Sequence, residues 1–253
     1  MSDSRLHLVR LRLRADRLAR FEQTQRLPTH HDDLGYVTHG LLRALFGERG
    51  PSCFVAEERG AREIEVLGYG LADADALKRH SSQFAEPVAH EVVVADSIAS
   101  KPMPIAWPVG SRLGFTLRAC PIKRLAKRAP GGSTDRPEVD AWLHACWKVP
   151  NGPAPPRESV YVEWLRAALE GTNIVTMENA RVETFRLARL VRRTDRRSGP
   201  RKAHTLDRPD VRFTGTIVVR DAAGFEAMLR RGVGRHRDFG FGMMRLLPPT
   251  AGR

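Results

Sequence analysis

Apolar and polar positions alternate from Leu6 to Arg14, with His7, Val9, Leu11 and Leu13 on one face and Arg10, Arg12 and Arg14 on the other. A period of two predicts a strand with one buried face. The period then changes. Leu34, Val37, Leu41 and Leu45 recur at helical spacing behind the polar run at 30–33, and Gly47 follows, which predicts a helix from Leu34 to Phe46. Ser52–Glu57 and Glu63–Gly70 read as strands joined by a turn at Arg59 and Gly60, and Asp73–His80 as a short helix. Val92–Ala95 is a candidate strand in a stretch whose prolines at 102, 104 and 108 argue for loop. Arg112–Ala119 alternates cleanly, with Leu113, Phe115 and Leu117 on one face. To this point the order is β-α-β-β-α-β, that of a ferredoxin-like unit.

A basic insert with glycine and proline follows at Pro121–Pro137, then a helical stretch at Val139–Trp147 and a linker at Pro150–Pro156. The helix Ser159–Glu170 carries a stripe of Tyr161, Trp164, Leu165 and Ala168 that reads as core, and Gly171 ends it. Asn173–Thr176, Val182–Val191 and Val211–Val219 read as extended, the last with Val211, Phe213, Ile217 and Val219 on one face. The basic run from Arg192 to Arg208, with Ser198-Gly199-Pro200 at its tip, predicts a long hairpin able to enter a nucleic-acid groove. Asp221 is placed to cap a final helix. The expected fold is α+β: two ferredoxin-like (RRM-like) domains in tandem with a C-terminal glycine-rich loop. The first domain is set at 1–120, a basic insert and linker at 121–156, and the second domain at 157–253.

Charge adds a partner to this picture. The 253 residues carry a net charge of +13, which calls for a polyanion. Lysine occurs only at positions 78, 101, 123, 127, 148 and 202, so arginine, suited to phosphate forks and base stacking, dominates. A GC-rich genome explains the arginine preference but not the excess charge. Cys53, Cys120 and Cys146 form no CxxC pair and no even set, which points to a reducing compartment. No apolar run has the length of a membrane span, so the expectation is a soluble cytoplasmic protein with no membrane partner.

Candidate chemistry lies in two places. Four glycines fall within residues 232–242, around Arg235, His236 and Arg237, with Phe239 and Phe241 to anchor the loop or to stack. Such a loop offers backbone N–H groups and positive charge to phosphate, though a bulged hairpin also needs glycine. Tyr36, His39 and Arg43 share the helix face not needed for the apolar stripe, and plain solvent exposure is the alternative for them. No His/Cys/carboxylate motif has metal-ligand spacing, so neither metal nor cofactor is expected.

The blocks Phe213–Val219, Gly232-Val233-Gly234 and Phe239-Gly240-Phe241-Gly242 resemble the closing block of CRISPR-associated repeat-processing (pre-crRNA) endoribonucleases of the RAMP superfamily, and most of all the CasE type. Leu113–Pro121 resembles that family's central strand, and Tyr36-Val37-Thr38-His39 its Tyr-x-x-His helix. The likeness touches both halves of the chain. This chain is longer than typical relatives in the insert after Pro121 and the hairpin near Arg196, and Gly40 replaces a basic residue that often follows the histidine. Variants attached to type IV systems rely on other side chains, which leaves His30, His31 and the arginines as substitutes for His39.

The resemblance implies cleavage of one phosphodiester at the 3′ base of a repeat stem-loop. The RNA's own 2′-OH attacks, giving a 2′,3′-cyclic phosphate and a 5′-OH. His39 would act as base or acid, Tyr36 would orient or donate, and Arg43 or the glycine loop would hold developing charge. Phosphate contacts are expected from Lys123, Arg124, Lys127 and Arg128, from Arg192, Arg193, Arg196, Arg197, Arg201 and Lys202, and from Gly232, Gly234, Arg235, His236, Arg237, Gly240 and Gly242. The implied partners are CRISPR repeat RNA, mature crRNA and other Cas subunits of a multi-subunit effector complex. The competing readings are a non-catalytic RNA-binding subunit of the same superfamily and a generic basic protein of structured RNA.

Overall fold

Strand β1 (His7–Arg14) is the centre of a four-stranded antiparallel sheet, and its alternation is the expected one: Val9, Leu11 and Leu13 are buried while Arg10, Arg12 and Arg14 are exposed. The computed structural model describes residues 5–27, 34–125, 138–193 and 203–248. After β1 come helices α1 (Ala15–Thr24) and α2 (Leu34–Phe46), strands β2 (Cys53–Glu58) and β3 (Glu63–Gly70), helices α3 (Ala74–Phe84) and α4 (Pro87–His90), and strand β4 (Ala99–Pro102). The sheet order is β2-β3-β1-β4.

The second half begins earlier than its sequence suggests. Strand β5 (Arg112–Ala119), expected to close the first sheet, pairs instead with β9 (Ala203–Val219) and β10 (Met244–Leu247) in a second sheet of order β10-β5-β9-β8, where β8 is Val175–Arg193. With helix α6 (Arg157–Glu170) after β5 and helix α7 (Ala222–Arg231) after β9, this half also runs β-α-β-β-α-β. Both sheets therefore have the ferredoxin-like strand order, and the expected tandem is present.

The fourth strand of the first sheet, Ala99–Pro102, lies where prolines argued for loop. It is an edge strand, so Pro102 can stand at its end without costing a ladder bond on both sides. Val92–Ala95 contributes only a single bridge, Val93 to Leu13. The first part of the insert is a small ladder of β6 (Ile122–Arg124) with β7 (Glu138–Asp140), so helix α5 (Ala141–Cys146) starts later than its apolar pattern predicted. Asp140 caps it, accepting from the Trp142 amide at 2.7 Å. The two extended stretches after α6 are one long strand with register shifts at Met177/Asn179 and Val182/Thr184, which is why its alternation is imperfect.

The halves share their packing. On β2, Phe54 and Ala56 enter the core under the first unit's helices, while Cys53 and Val55 enter the core of the second unit with Phe115, Phe213 and Leu165. Both faces of that strand are buried, which accounts for its continuous apolar run. Tyr69 on β3 donates to the Met244 carbonyl across the junction at 3.0 Å, and Glu57 takes Arg212 at 2.9 Å and Arg245 at 3.1 Å. Among the described residues no helix is long and apolar enough to cross a membrane.

Candidate functional site

Helix α2 starts directly on the glycine-rich stretch. A Cβ on Gly35 would stand 2.0 Å from the Phe239 carbonyl oxygen, so only glycine lets the first turn seat there. Tyr36 then stacks on Phe239, ring centroids 5.5 Å apart and planes at 22°. His39, one turn further, is half-buried. The face expected to be free of packing is thus a contact face for Tyr36 and His39. Arg43 is exposed, paired with Glu48 and bonded to the Gly47 carbonyl at 3.3 Å.

Burial lowers the His39 pKa below its ordinary 6.5; the Asp238 carboxylate opposes that shift and the Arg43 guanidinium adds to it. The imidazole is therefore neutral at neutral pH. Asp238→Asn removes the upward push, so the His39 titration should move to lower pH, and Arg43→Gln should move it upward. Histidine ring NMR read against pH checks both signs, and an unmoved titration in Asp238→Asn would uncouple the two side chains.

The glycine stretch is built by backbone geometry. Gly232, Gly234, Gly240 and Gly242 all have positive φ, as does His236 at 59°. The Val233 amide donates to the Gly242 carbonyl at 2.8 Å and the Gly242 amide to the Arg118 carbonyl at 2.7 Å, which ties the loop's two ends to β5. A Cβ on Gly242 would lie 2.5 Å from the Val233 oxygen, so closure at this point requires glycine. Phe239 and Phe241 are buried anchors, the latter under the Arg118 guanidinium at 4.4 Å. Arg118 in turn forms a two-point pair with buried Asp210 at 2.8 and 2.9 Å, and Arg186 joins it at 2.8 Å.

The loop's own charges are not all free for a ligand. Glu138, its side chain 11% exposed, receives Arg235 at 2.6 Å, His236 at 3.0 Å, Arg208 at 3.7 Å and Arg124 at 3.8 Å. The His236 hydrogen bond, with Arg235 and Arg208, holds its pKa at about 2 despite burial. It is ionised at neutral pH and can only accept, so His236 presents Nε2–H to it. Arg237 turns inward, donating to the Arg231 carbonyl at 2.7 Å. Glu138→Ala would leave Arg235 and His236 without their acceptor and should cost about 1.5–3 kcal/mol, the range for hydrogen bonds to a charged group. A shifted midpoint in chemical denaturation checks this.

Loop and α7 border a groove of about 700 Å³ whose lining includes Arg231, Gly234, Arg235, His236, Arg237 and Asp238. Asp238 is the link, since it faces both this groove and His39. Of the other candidates, Lys123 and Arg124 lie on β6, with Arg124 drawn to Glu138. Arg192 and Arg193 lie at the far end of β8, opposite His204 and Ala203. Lys127, Arg128, Arg196, Arg197, Arg201, Lys202, His30 and His31 lie outside the described residues. Asp221 holds the N-cap position of α7 but makes no side-chain capping bond, contrary to expectation.

The model for CRISPR-associated proteins matches residues 6–248. The chain belongs to this CRISPR-associated protein family. Among solved structures, it is similar to the CRISPR endoribonuclease Cse3 bound to a 19 nt RNA, with a TM-score of 0.62 and 22% identity over 96% of this chain and 100% of that one. Cse3 of Thermus thermophilus, bound to an RNA representing a pre-cleavage complex, gives 0.59 and 20% over 96% and 100%. A chain of a CRISPR RNA-guided surveillance complex in its pre-nicking state gives 0.53 and 15% over 95% and 99%. Likeness at these identities is likeness of fold. No curated protein sequence matches the chain.

Two carboxylates of this CRISPR-associated protein, Asp238 and Glu138, escape a sequence reading centred on basic residues. Asp238 sits inside the stretch singled out, and an acid among three basic residues is the signal that could have found it. Glu138 lies 97 residues from Arg235 in sequence, and no local pattern reports such a pair.

Proposed function

We propose that this protein is an endoribonuclease that cuts CRISPR precursor RNA at the 3′ base of the repeat stem-loop, without a metal ion, and keeps the mature crRNA as a subunit of an effector complex. The observation that carries this reading is the convergence of His39, Tyr36 and Asp238 where α2 meets the glycine-rich stretch, at the margin of a basic groove. The RNA-bound relatives of the same fold support it.

The geometry fits intramolecular attack. A neutral, half-buried imidazole, its pKa lowered by burial, can take the 2′-OH proton as general base. Tyr36 is held in place by Phe239 and keeps the histidine's side of the helix fixed. Arginine charge in the groove stabilises the phosphorane as it forms. A-form stems hide base edges in a narrow major groove, so phosphate and shape are what the long β8–β9 hairpin and the arginines can read.

A second reading, a non-catalytic RNA-binding subunit, is favoured by one fact: Arg43 is already paired with Glu48. Incubating the protein with repeat stem-loop RNA in EDTA decides between them. The expected result is one cut with a 2′,3′-cyclic phosphate on the upstream product. Tight binding with an intact RNA would favour the second reading, and equal binding of unrelated stems would favour a generic RNA-binding protein.

A further inference from the structure

A second groove, of about 640 Å³, continues from the first. Ser52 and Arg230 line both. Their shared wall is fixed by the Ser52 hydroxyl, which donates to the Arg230 carbonyl at 3.1 Å and joins the end of α7 to the start of β2. Beyond that wall the second groove is lined by His7, Arg49 and Asp73. Both grooves adjoin the His39 side of α2. Asp238, which acts on His39, lines the first, and Glu48, the partner of Arg43, lines the second.

Several arginines at the sheets are matched by acids, Arg112 by Glu178 at 2.7 Å, Arg118 by Asp210 and Arg212 by Glu57, whereas Arg10, Arg12 and Arg14 on β1 are exposed with no ion pair among the described residues. Arg49, Arg230 and Arg231 are exposed and have no ion pair among the described residues. The carboxylates of the second groove are already engaged, Glu48 by Arg43 and Asp73 by the Ala76 amide at 2.8 Å. His7 adds a ring nitrogen, Nδ1, that is buried without a partner among the described residues. What remains in the second groove is two guanidiniums, Arg49 and Arg230, unpaired among the described residues, against the one carboxylate of Asp73, with no Phe, Tyr or Trp to stack a base. Such a lining holds a backbone by its phosphates and is indifferent to sequence.

We propose that the groove at Arg49 and Arg230 receives the single-stranded RNA that leaves the cleavage site on its 3′ side. This rests on the endonuclease reading above. When a stem ends at the scissile bond, the upstream strand is fixed in the duplex and only the downstream strand is free to follow the second groove.

The test uses the full chain and repeat RNA made uncleavable by a 2′-deoxy nucleotide at the scissile position, with a 3′ flank of either one or eight nucleotides. Affinity is measured against salt for wild type, Arg49→Gln and Arg49→Glu, since Arg49 lines the second groove and not the first. The longer flank should bind more tightly to wild type, with a log–log salt slope steeper by about 0.7 per phosphate held. Both variants should lose part of that increment while binding the short-flank RNA as wild type does, which also shows that they are folded. Flank length that adds nothing in wild type, or adds as much in the variants, overturns the proposal and leaves the endonuclease reading standing. Wild type that binds neither RNA fails that reading and this proposal with it. Variants that keep the flank increment but no longer assemble with partner subunits assign the groove to a protein, which also overturns it.

Discussion

A single 2′-deoxy substitution at the scissile nucleotide should abolish cleavage at that bond and leave stem binding intact. The proposed reaction takes its nucleophile from the RNA, so deleting one oxygen removes the attacking atom and no protein side chain can supply another. Effects of this kind exceed those of any single proton-transfer group, whose loss costs about 10²–10⁴-fold. Stem recognition draws on phosphates and shape along the duplex, to which one missing hydroxyl contributes little. The measurement is single-turnover cleavage of matched all-RNA and deoxy substrates, with binding followed in parallel. A deoxy substrate cut at the same bond would mean that water attacks instead. The chemistry would then need a different activating group from the one assigned to His39.

The fold was legible wherever one element reported on itself. Alternation over His7–Arg14 and Arg112–Ala119, and the helical stripe of Leu34–Phe46, each specify an element whose core face is the observed one. What failed was assignment of elements to sheets. Arg112–Ala119 has the same alternation whether it ends one ferredoxin-like unit or begins the next, since register and partner are settled by contacts with Val211–Val219 about a hundred residues later. The amphipathic helix Ala15–Thr24 went unread because its buried residues are few, Leu18 and Phe21, among charged ones.

The site was legible in part for the same reason. His39 and Tyr36 share a helix and so a spacing, and the glycine stretch is contiguous. Their meeting is not, because it depends on Gly35 admitting the Phe239 backbone from the far end of the chain. Nor does sequence tell a free arginine from a neutralised one. Arg235 and Arg230 are five positions apart, yet the first is held by Glu138 and the second has no ion pair among the described residues. A net charge of +13 therefore overstates what the glycine loop itself can offer to phosphate and understates the edge at Arg49 and Arg230.

His39→Ala should slow single-turnover cleavage by about 10²–10⁴-fold, the usual loss on removing a general acid or base, while repeat binding stays near that of wild type. The two effects separate because His39 is half-buried beside Asp238, while the arginines available to phosphate line the groove itself. Tyr36→Phe should lose less. The ring that stacks on Phe239 at 5.5 Å remains, so α2 keeps its seat and only the hydroxyl is gone. A Tyr36→Ala variant, by contrast, removes that stacking and should approach the histidine variant in rate, through position and not through proton transfer. Supplying imidazole to His39→Ala distinguishes the roles further: a small diffusible base should restore part of the rate there and none of it in Tyr36→Ala. If His39→Ala cuts at wild-type speed, arginine electrostatics carry the reaction. Arg43 and Arg235 are then the groups to remove next, Arg43→Gln together with Glu48→Gln and Arg235→Gln together with Glu138→Gln, so that neither carboxylate is left without its partner.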